Sequence, residues 1–448
     1  MASESKDDGT AMGGAGAGAP VVKSKTSMFV DYMEPEDSPV LLTSKVDRIA
    51  AKFRISPCNT TIANTLRRQI LVSTKTVGFQ TEPAEKSDVR ILKNTTPLAN
   101  EILTHRIGMI PIAADPSSFD PERYEFRLDI ENKGKSVIDV TASDIVVIEK
   151  DPTDASDGGR VVPNELFFPP DPITKETCII TRLRPQWNAS APNEHLIMVA
   201  KASIHDGKTN IRFNPVSQCS YENTPDPNPE RQKEAFQKWA EKHKKISLSD
   251  LGGETAIALR REFDTMEIQR VYKVNELGEP NDFTFYVESI GVLNVPTIVK
   301  NGIQSSIDLV KKYQEIDVSI PSNVIIRKGS ARFVSTEFVF TDENHTLGNL
   351  LQTYLVHNHI EGSQEPRIAY AGYKIPHPLR PEMVLTIAVN PASSEADSFE
   401  ADKSAARYAV AQVCRYLVSL FNQMMIDWEG RGFIPKGEVA PAETKTSE

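Results

Sequence analysis

One pattern occurs twice in this chain and constrains its fold more than any other feature. Asn59-Thr-Thr-Ile-Ala-Asn-Thr-Leu66 and Asn344-His-Thr-Leu-Gly-Asn-Leu-Leu351 both read N-x-T-[IL]-[AG]-N-x-L. Each follows a strand-like run and opens an amphipathic helix. In the first, Asn59 or Thr60 can cap a helix whose Ile62, Ala63, Leu66, Ile70 and Leu71 recur three and four apart. Each copy also ends in a second long amphipathic helix, expected at 297–316 and 405–428. The chain therefore reads as two copies of one strand–helix–strand–helix unit, with residues 113–280 inserted into the first.

A unit this small buries little surface by itself. Two related copies can face each other about a pseudo-twofold axis and bury both sets of helices, as an isologous dimer does. The residues expected to pair are Leu66 and Ile70 on the first helix, Ile303, Ile307 and Val310 on the second, Leu347, Leu350 and Leu351 on the third, and Val413, Leu417 and Phe421 on the last. On that last helix Val410, Val413, Leu417, Phe421, Met424 and Trp428 form one stripe. Burying it contributes on the order of 10 kcal/mol, an upper bound from area. The expected fold class is α+β: two dimerisation units paired pseudo-symmetrically, with a mostly β domain inserted in the first.

The remaining segments follow from composition shifts. Residues 1–40 read as a flexible Gly/Ala-rich tail. The first unit is expected at 41–112 and again at 223–316, the second part carrying an added helical segment. Between them, 113–222 holds short strands such as YEFRLDI and HLIMVAKASI among Pro-rich turns. Within the added segment, 231–245 is basic and helical, and Phe236 and Trp239 could pack it on the body. Residues 317–332, with Pro321 and Gly329, read as a linker long enough for pairing within one chain or between two. The second unit follows at 333–430, and 431–448 is a second loose tail.

Composition excludes several classes. With 51 Lys and Arg against 61 Asp and Glu, the net charge is -10, poor for gripping phosphate backbones unaided. The best candidate for a span, Tyr416 to Ile426, falls short of the ~20 residues a membrane crossing needs, and the N-terminus has no secretory pattern. The four cysteines, at 58, 178, 219 and 414, never approach C-x-x-C spacing, so a Cys-based metal site is not expected. His345, His357, His359 and His377 crowd the second unit. His357-x-His359 could chelate in a strand, but His357 falls at a helix end, where a polar residue is common. No phosphate loop or dinucleotide fingerprint is present. No nucleophile–base set can be tied to His105-Arg106, so neither catalytic residues nor cofactors are expected.

The motifs resemble those of the α-like assembly subunits of cellular RNA polymerases. Asn64-Thr65-Leu66-Arg67-Arg68, the Leu103-to-Ile112 element with His105, Arg106, Gly108 and Pro111, and Phe285-Tyr-Val-Glu-Ser-Ile-Gly291 are similar to the bacterial α N-terminal domain and the third-largest eukaryotic subunit. His345-Thr-Leu-Gly-Asn-Leu-Leu351 and Ala371-Gly-Tyr-Lys-Ile-Pro-His-Pro-Leu379 resemble the small eleventh-subunit partner. Both on one polypeptide is similar to the fused form of large nucleocytoplasmic DNA viruses. The sequence departs from the family in one respect. Many third-largest subunits carry a Cys-rich zinc loop, and some archaeal relatives an iron–sulfur cluster, in the inserted domain. Here only Cys178 and Cys219 lie there.

The resemblance implies a non-catalytic platform that docks the second-largest and then the largest subunit, with other small polymerase subunits beside it. DNA would be met only through the complex, and no membrane is involved. It implies a cytoplasmic setting (viral factory or virion) for a viral chain and a nuclear one for a cellular chain. Asn64, Arg67, Arg68, His105 and Arg106 are the residues it implies for docking. Consecutive arginines point about 100° apart on a helix, so at least one should leave the paired core. The competing reading is a stand-alone regulator that binds nucleic acid through the 231–245 helix, which the net charge and the lack of a recognition module oppose.

Overall fold

The computed structural model describes residues 29–33, 49–150, 159–186, 188, 192–245, 253–329, 334–390 and 399–430. The described residues form seven α-helices: α1 (Thr60–Ser73), α2 (Asn100–Gly108), α3 (Pro229–Trp239), α4 (Gly253–Met266), α5 (Val295–Lys311), α6 (His345–Leu355) and α7 (Phe399–Gly430). The fold is α+β, and the sequence repeat is a structural repeat.

The first unit builds a four-stranded antiparallel sheet in the order Phe29–Met33, Ala50–Ile55, Phe283–Ser289, Val216–Asn223. The second builds the same sheet in the same order from Val324–Lys328, Thr336–Thr341, Glu382–Val389 and Ile368–Lys374. Each sheet thus has four strands, two more than the bare strand–helix–strand–helix pattern contains. Two corrections follow. A strand, Phe29–Met33, lies inside the span read as a tail, and another, Val324–Lys328, lies inside the span read as a linker. Pro321 and Gly329 flank that second strand instead of breaking it. Most of 1–40, all of 431–448 and residues 330–332 of the linker lie outside the described residues.

One apolar core runs from the first sheet through α1, α5, α6 and α7 to the second sheet. Leu66, Ile70, Ile303, Ile307, Val310, Leu347, Leu350, Leu351, Val413, Leu417 and Phe421 all lie in it, each at most 5% exposed. α5 and α7 run antiparallel along one another. The Trp428 indole N–H, near the end of α7, donates to the Pro296 carbonyl in the first turn of α5 at 3.0 Å. At the other end Arg407 donates to the carbonyls of Ile316 and Asp317, at 2.9 and 2.8 Å, in the turns that follow α5. The Trp428 ring also meets Phe53 of the first sheet edge-on, with centroids 5.2 Å apart. Gly302 of α5 allows α1 to approach: a Cβ there would stand 2.5 Å from Ile70 Cγ1.

The inserted domain has a separate core. Its five-stranded sheet orders Val89–Asn94, His195–Ala200, Tyr124–Glu131, Val146–Glu149 and Arg160–Val162. This core already includes Val77, Phe79, Leu103, Ile107 and Ile112, so the inserted domain draws in much of the 41–112 span assigned to the first unit. The physical reason is pairing. Lys75–Gly78 joins Ser203–Asp206, and α2 lays its Leu103 and Ile107 on this domain.

The basic segment is also different from the expectation. Helix α3 gives way to a π-helical turn, Ala240–Lys244, and Phe236 and Trp239 face Phe263 of α4, with centroids 5.4 and 5.6 Å apart. The aromatics make the small core of a helical arm rather than a dock on the body.

Trp428 joins the two units through area, ring contact and a hydrogen bond together. Trp428→Ala is expected to destabilise the paired core by about 3–5 kcal/mol. Urea unfolding followed on that core measures it; a loss below about 1 kcal/mol would contradict the shared core.

Candidate functional site

The two copies of the repeated pattern do the same local work. Asn59 accepts from the Ile62 N–H at 2.9 Å and starts α1; Asn344 accepts from the Thr346 N–H at 2.9 Å and starts α6. The helices they start lie against each other, antiparallel, across the pseudo-twofold axis. In the aligned repeat Thr61 stands where Thr346 stands, and Arg68 where Thr353 stands. The structure pairs Thr61 Oγ1 with Thr353 Oγ1 at 3.2 Å, and Arg68 Nε donates to Thr346 Oγ1 at 2.6 Å. These are the same contact seen from the two sides of the axis. Asn59 Nδ2 donates to Tyr354 Oη at 3.1 Å, and Asn349 Nδ2 to Thr61 Oγ1 at 3.3 Å. A polar seam therefore closes the rim of the apolar core.

Of the residues singled out for docking, the structure brings Asn64 and Arg67 together. Arg67 Nε and Nη2 both donate to Asn64 Oδ1, at 3.2 and 2.9 Å. Arg68 turns the other way and enters the seam. Both arginines stay partly exposed, so most of their five N–H donors each are left for other acceptors. His105 and Arg106 belong to the second core's surface instead. Both are exposed on α2, and Arg106 Nη2 donates to the Ile179 carbonyl at 3.0 Å.

Sequence reasoning missed the seam partners Thr61, Thr346, Thr353 and Tyr354. The shared Thr of the repeat pattern was the signal for two of them. It also missed the ends of the α5–α7 pair. There Arg415 Nη2 holds both oxygens of Asp317, at 2.8 and 2.7 Å, and Lys300 pairs with Glu429 at 2.8 Å.

The motif residues of the second unit meet around Gly348. The Tyr373 ring lies where a Cβ on Gly348 would be, and its hydroxyl is 3.2 Å from His345 Nδ1. The four histidines go separate ways: His345 to Tyr373, His357 to Glu361 at 3.2 Å, His359 inward to the Pro366 carbonyl at 3.0 Å, and His377 to the Leu379 N–H. No group of three or more His, Cys, Asp or Glu suited to a metal ion occurs among the described residues. Burial pushes the thiols of Cys58, Cys219 and Cys414 up to about 12, so they stay protonated and serve as small apolar groups.

His359 is fully buried, and burial lowers its pKa below the ordinary 6.5. Its neutral form is the one that fits. The unfolded chain binds this proton more readily, so the contribution is complete above about pH 6.5 and is lost as pH falls below that value. The expected result is an acid-side loss of stability that is shallower in His359→Gln than in the parent chain. Thermal melts from pH 7.5 to pH 5 check it, and parallel curves would exclude His359 as a source.

The chain was compared with known families. The model of the RNA polymerase Rpb3/Rpb11 dimerisation domain matches residues 52–310, and a second model of the same description matches 335–425. Among curated proteins, the chain is similar to the DNA-directed RNA polymerases I and III subunit RPAC1 of Homo sapiens, 27% identical over 204 residues, or 40% of this chain and 53% of that protein. It is similar to the probable DNA-directed RNA polymerase II subunit RPB11 of Caenorhabditis briggsae, 32% identical over 88 residues, or 20% of this chain and 57% of that protein. It is also similar to the DNA-directed RNA polymerase subunit Rpo3 of Methanosphaera stadtmanae, 36% identical over 69 residues, or 15% of this chain and 23% of that protein. The chain spans about half the length of the RPAC1 and RPB11 relatives it matches. With its first match covering more than half of the chain and its second falling on the other paired unit, this chain belongs to the RNA polymerase Rpb3/Rpb11 dimerisation-domain family.

Proposed function

We propose that the chain is a non-catalytic assembly platform of a multisubunit DNA-dependent RNA polymerase, combining on one polypeptide the roles of the third-largest and eleventh subunits. The observation that carries this reading is the single core shared by two family domains of one chain. Partners that elsewhere meet as separate proteins are here joined through α5, the short connection 312–323 and the strand Val324–Lys328. The product is a rigid base with a polar seam. The relatives named as polymerase subunits support the scaffold reading.

In this reading the second-largest subunit docks on the α1 face through Asn64, Arg67 and Arg68, and the largest subunit and other small subunits follow. His105 and Arg106 offer a second contact on the inserted domain. The fused arrangement is similar to that of large nucleocytoplasmic DNA viruses. On that likeness the setting we propose is a cytoplasmic viral factory or virion, or the nucleus for a cellular source. No helix among the described residues is long and apolar enough to cross a membrane.

Affinity purification of the tagged chain is expected to bring down the two very large polymerase subunits in fixed proportion. Recovery of DNA alone, with a steep salt dependence, would instead support a stand-alone nucleic-acid-binding regulator. Arg67→Ala combined with Arg68→Ala is expected to weaken capture of the second-largest subunit by about tenfold or more while the chain stays folded. Undiminished capture would remove this face from the docking surface.

A further inference from the structure

Three strands of the inserted domain set a lysine, a histidine and an aspartate in line on the open face of its sheet. Along His195–Ala200 the residues alternate: Leu196, Met198 and Ala200 enter the core, and His195 and Ile197 take the other face. Ile197 is paired with Lys93 on one side and with Asp129 on the other, so both share that face with His195. The contacts are direct. His195 Nε2 is 2.6 Å from an oxygen of Asp129, and His195 Nδ1 is 2.9 Å from Lys93 Nζ. An ionised carboxylate only accepts and an ammonium only donates, so Nε2 carries the hydrogen and Nδ1 turns its lone pair to the amine.

The surroundings hold this order in place. The His195 N–H donates to Thr95 Oγ1 at 2.8 Å, and the Thr95 N–H to the His195 carbonyl at 3.1 Å. Glu131, opposite His195 in the register, is taken by Asn193 at 2.9 Å and Lys133 at 3.2 Å. The His195 side chain is only 14% exposed, while Lys93 is open to solvent on the end strand of the sheet. Other lysines of this domain are held by carboxylates: Lys133 by Glu131, Lys150 by Glu125 and Lys201 by Glu122. Among the described residues Lys93 makes no such ion pair; its partner is the imidazole. Nucleophile, base and orienting carboxylate in hydrogen-bond sequence are the arrangement that activates a weak nucleophile.

We propose that Lys93 is an acyl-acceptor site, whose amine takes an acyl group from an acyl thioester with His195 as base and Asp129 as positioning residue. Lys93 first gives one proton to water, and the free amine attacks the thioester carbonyl carbon to form a C–N bond. The adduct carries a positive nitrogen and an oxyanion. His195 Nδ1 takes the second proton from that nitrogen, so the C–S bond, rather than the new C–N bond, breaks as the carbonyl re-forms. The leaving thiolate takes that proton from His195. The products are an amide, a thiol and the one proton already in water. None of the three residues belongs to either apolar core or to the docking set, so the step removes a surface charge and leaves the fold intact.

The test incubates the full chain with S-acetyl-N-acetylcysteamine, a small acetyl thioester, and follows acetylation lysine by lysine by peptide mass spectrometry. Lys135, exposed in the same domain, is the reference. Lys93 is expected to react about tenfold or more faster than Lys135, a small share of what a placed base can contribute. His195→Gln is expected to bring Lys93 down to the Lys135 rate and to leave Lys135 unchanged. Asp129→Asn is expected to slow Lys93 and Asp129→Glu to restore it, with unchanged thermal melts for both. Equal rates at Lys93 and Lys135 in the parent chain would overturn the proposal, and so would an undiminished Lys93 rate in His195→Gln.

Discussion

The antiparallel clasp of α5 and α7 is the contact on which the rest of the molecule depends. Each sheet can cover one face of its own two helices, but the opposite faces of α5 and α7 remain apolar. Ile303, Ile307 and Val310 on one side and Val413, Leu417 and Phe421 on the other are buried because the helices meet. Apolar stripes set the strength of such a contact but are lax about its register. The ends supply the register: Trp428 on the Pro296 carbonyl, Arg407 on the carbonyls after α5, and the reciprocal pairs Lys300–Glu429 and Arg415–Asp317. The two ion pairs are partly exposed, so they fix position more than they add stability.

Once that core is closed on itself, additional structure can be added only at its loops, and the two units differ at those places. Between its first helix and the strand that follows, the first unit holds a domain with a core of its own, while the second holds a π-helical turn, Val356–Glu361. Between its last two strands the first unit holds the α3–α4 arm, while the second holds a proline-rich turn. The arm's aromatics are spent on its own small core, with Arg260 over the Phe236 and Phe263 rings and Lys244 over Trp239. Its insertion therefore leaves the sheet undisturbed. Duplication supplied one frame, and the two copies diverged where the frame tolerates change.

Much of this was legible because a repeat is a long-range signal carried by short-range chemistry. The capping Asn59 and Asn344 act within one turn, so they can be read from the chain alone, and the helix stripes follow from periodicity. Not every edge strand was legible. Val324–Lys328 buries only its first residue fully, leaves Ile325 61% exposed and ends in Arg327 and Lys328, so no alternation marks it. The limit of the inserted domain was missed for a different reason. Val77, Leu103 and Ile107 show that their segments are buried, but not which of two cores receives them. Strand pairing to Ser203–Asp206 decides that, and it joins residues far apart in sequence. Arg67 and Arg68 illustrate the same divide at the candidate site. Their divergence by about 100° is a property of any helix. That one returns to Asn64 while the other crosses to Thr346 depends on the partner helix.

The polar seam also bears on why two like units pair as they do. A twofold contact between identical helices would repeat each pair of side chains twice. Here the repeat has diverged, so one axis-related pair is Thr61 with Thr353 and the other is Thr346 with Arg68. The contact has kept its place while its chemistry has become unequal. The arginine lies on the first-unit side, where its remaining donors stay partly in solvent beside Arg67. The second-unit side carries the smaller threonine and the Gly348 that admits Tyr373. An approximate twofold in the core thus becomes a surface with two unlike sides, one bearing the arginines and the other the threonine and Gly348.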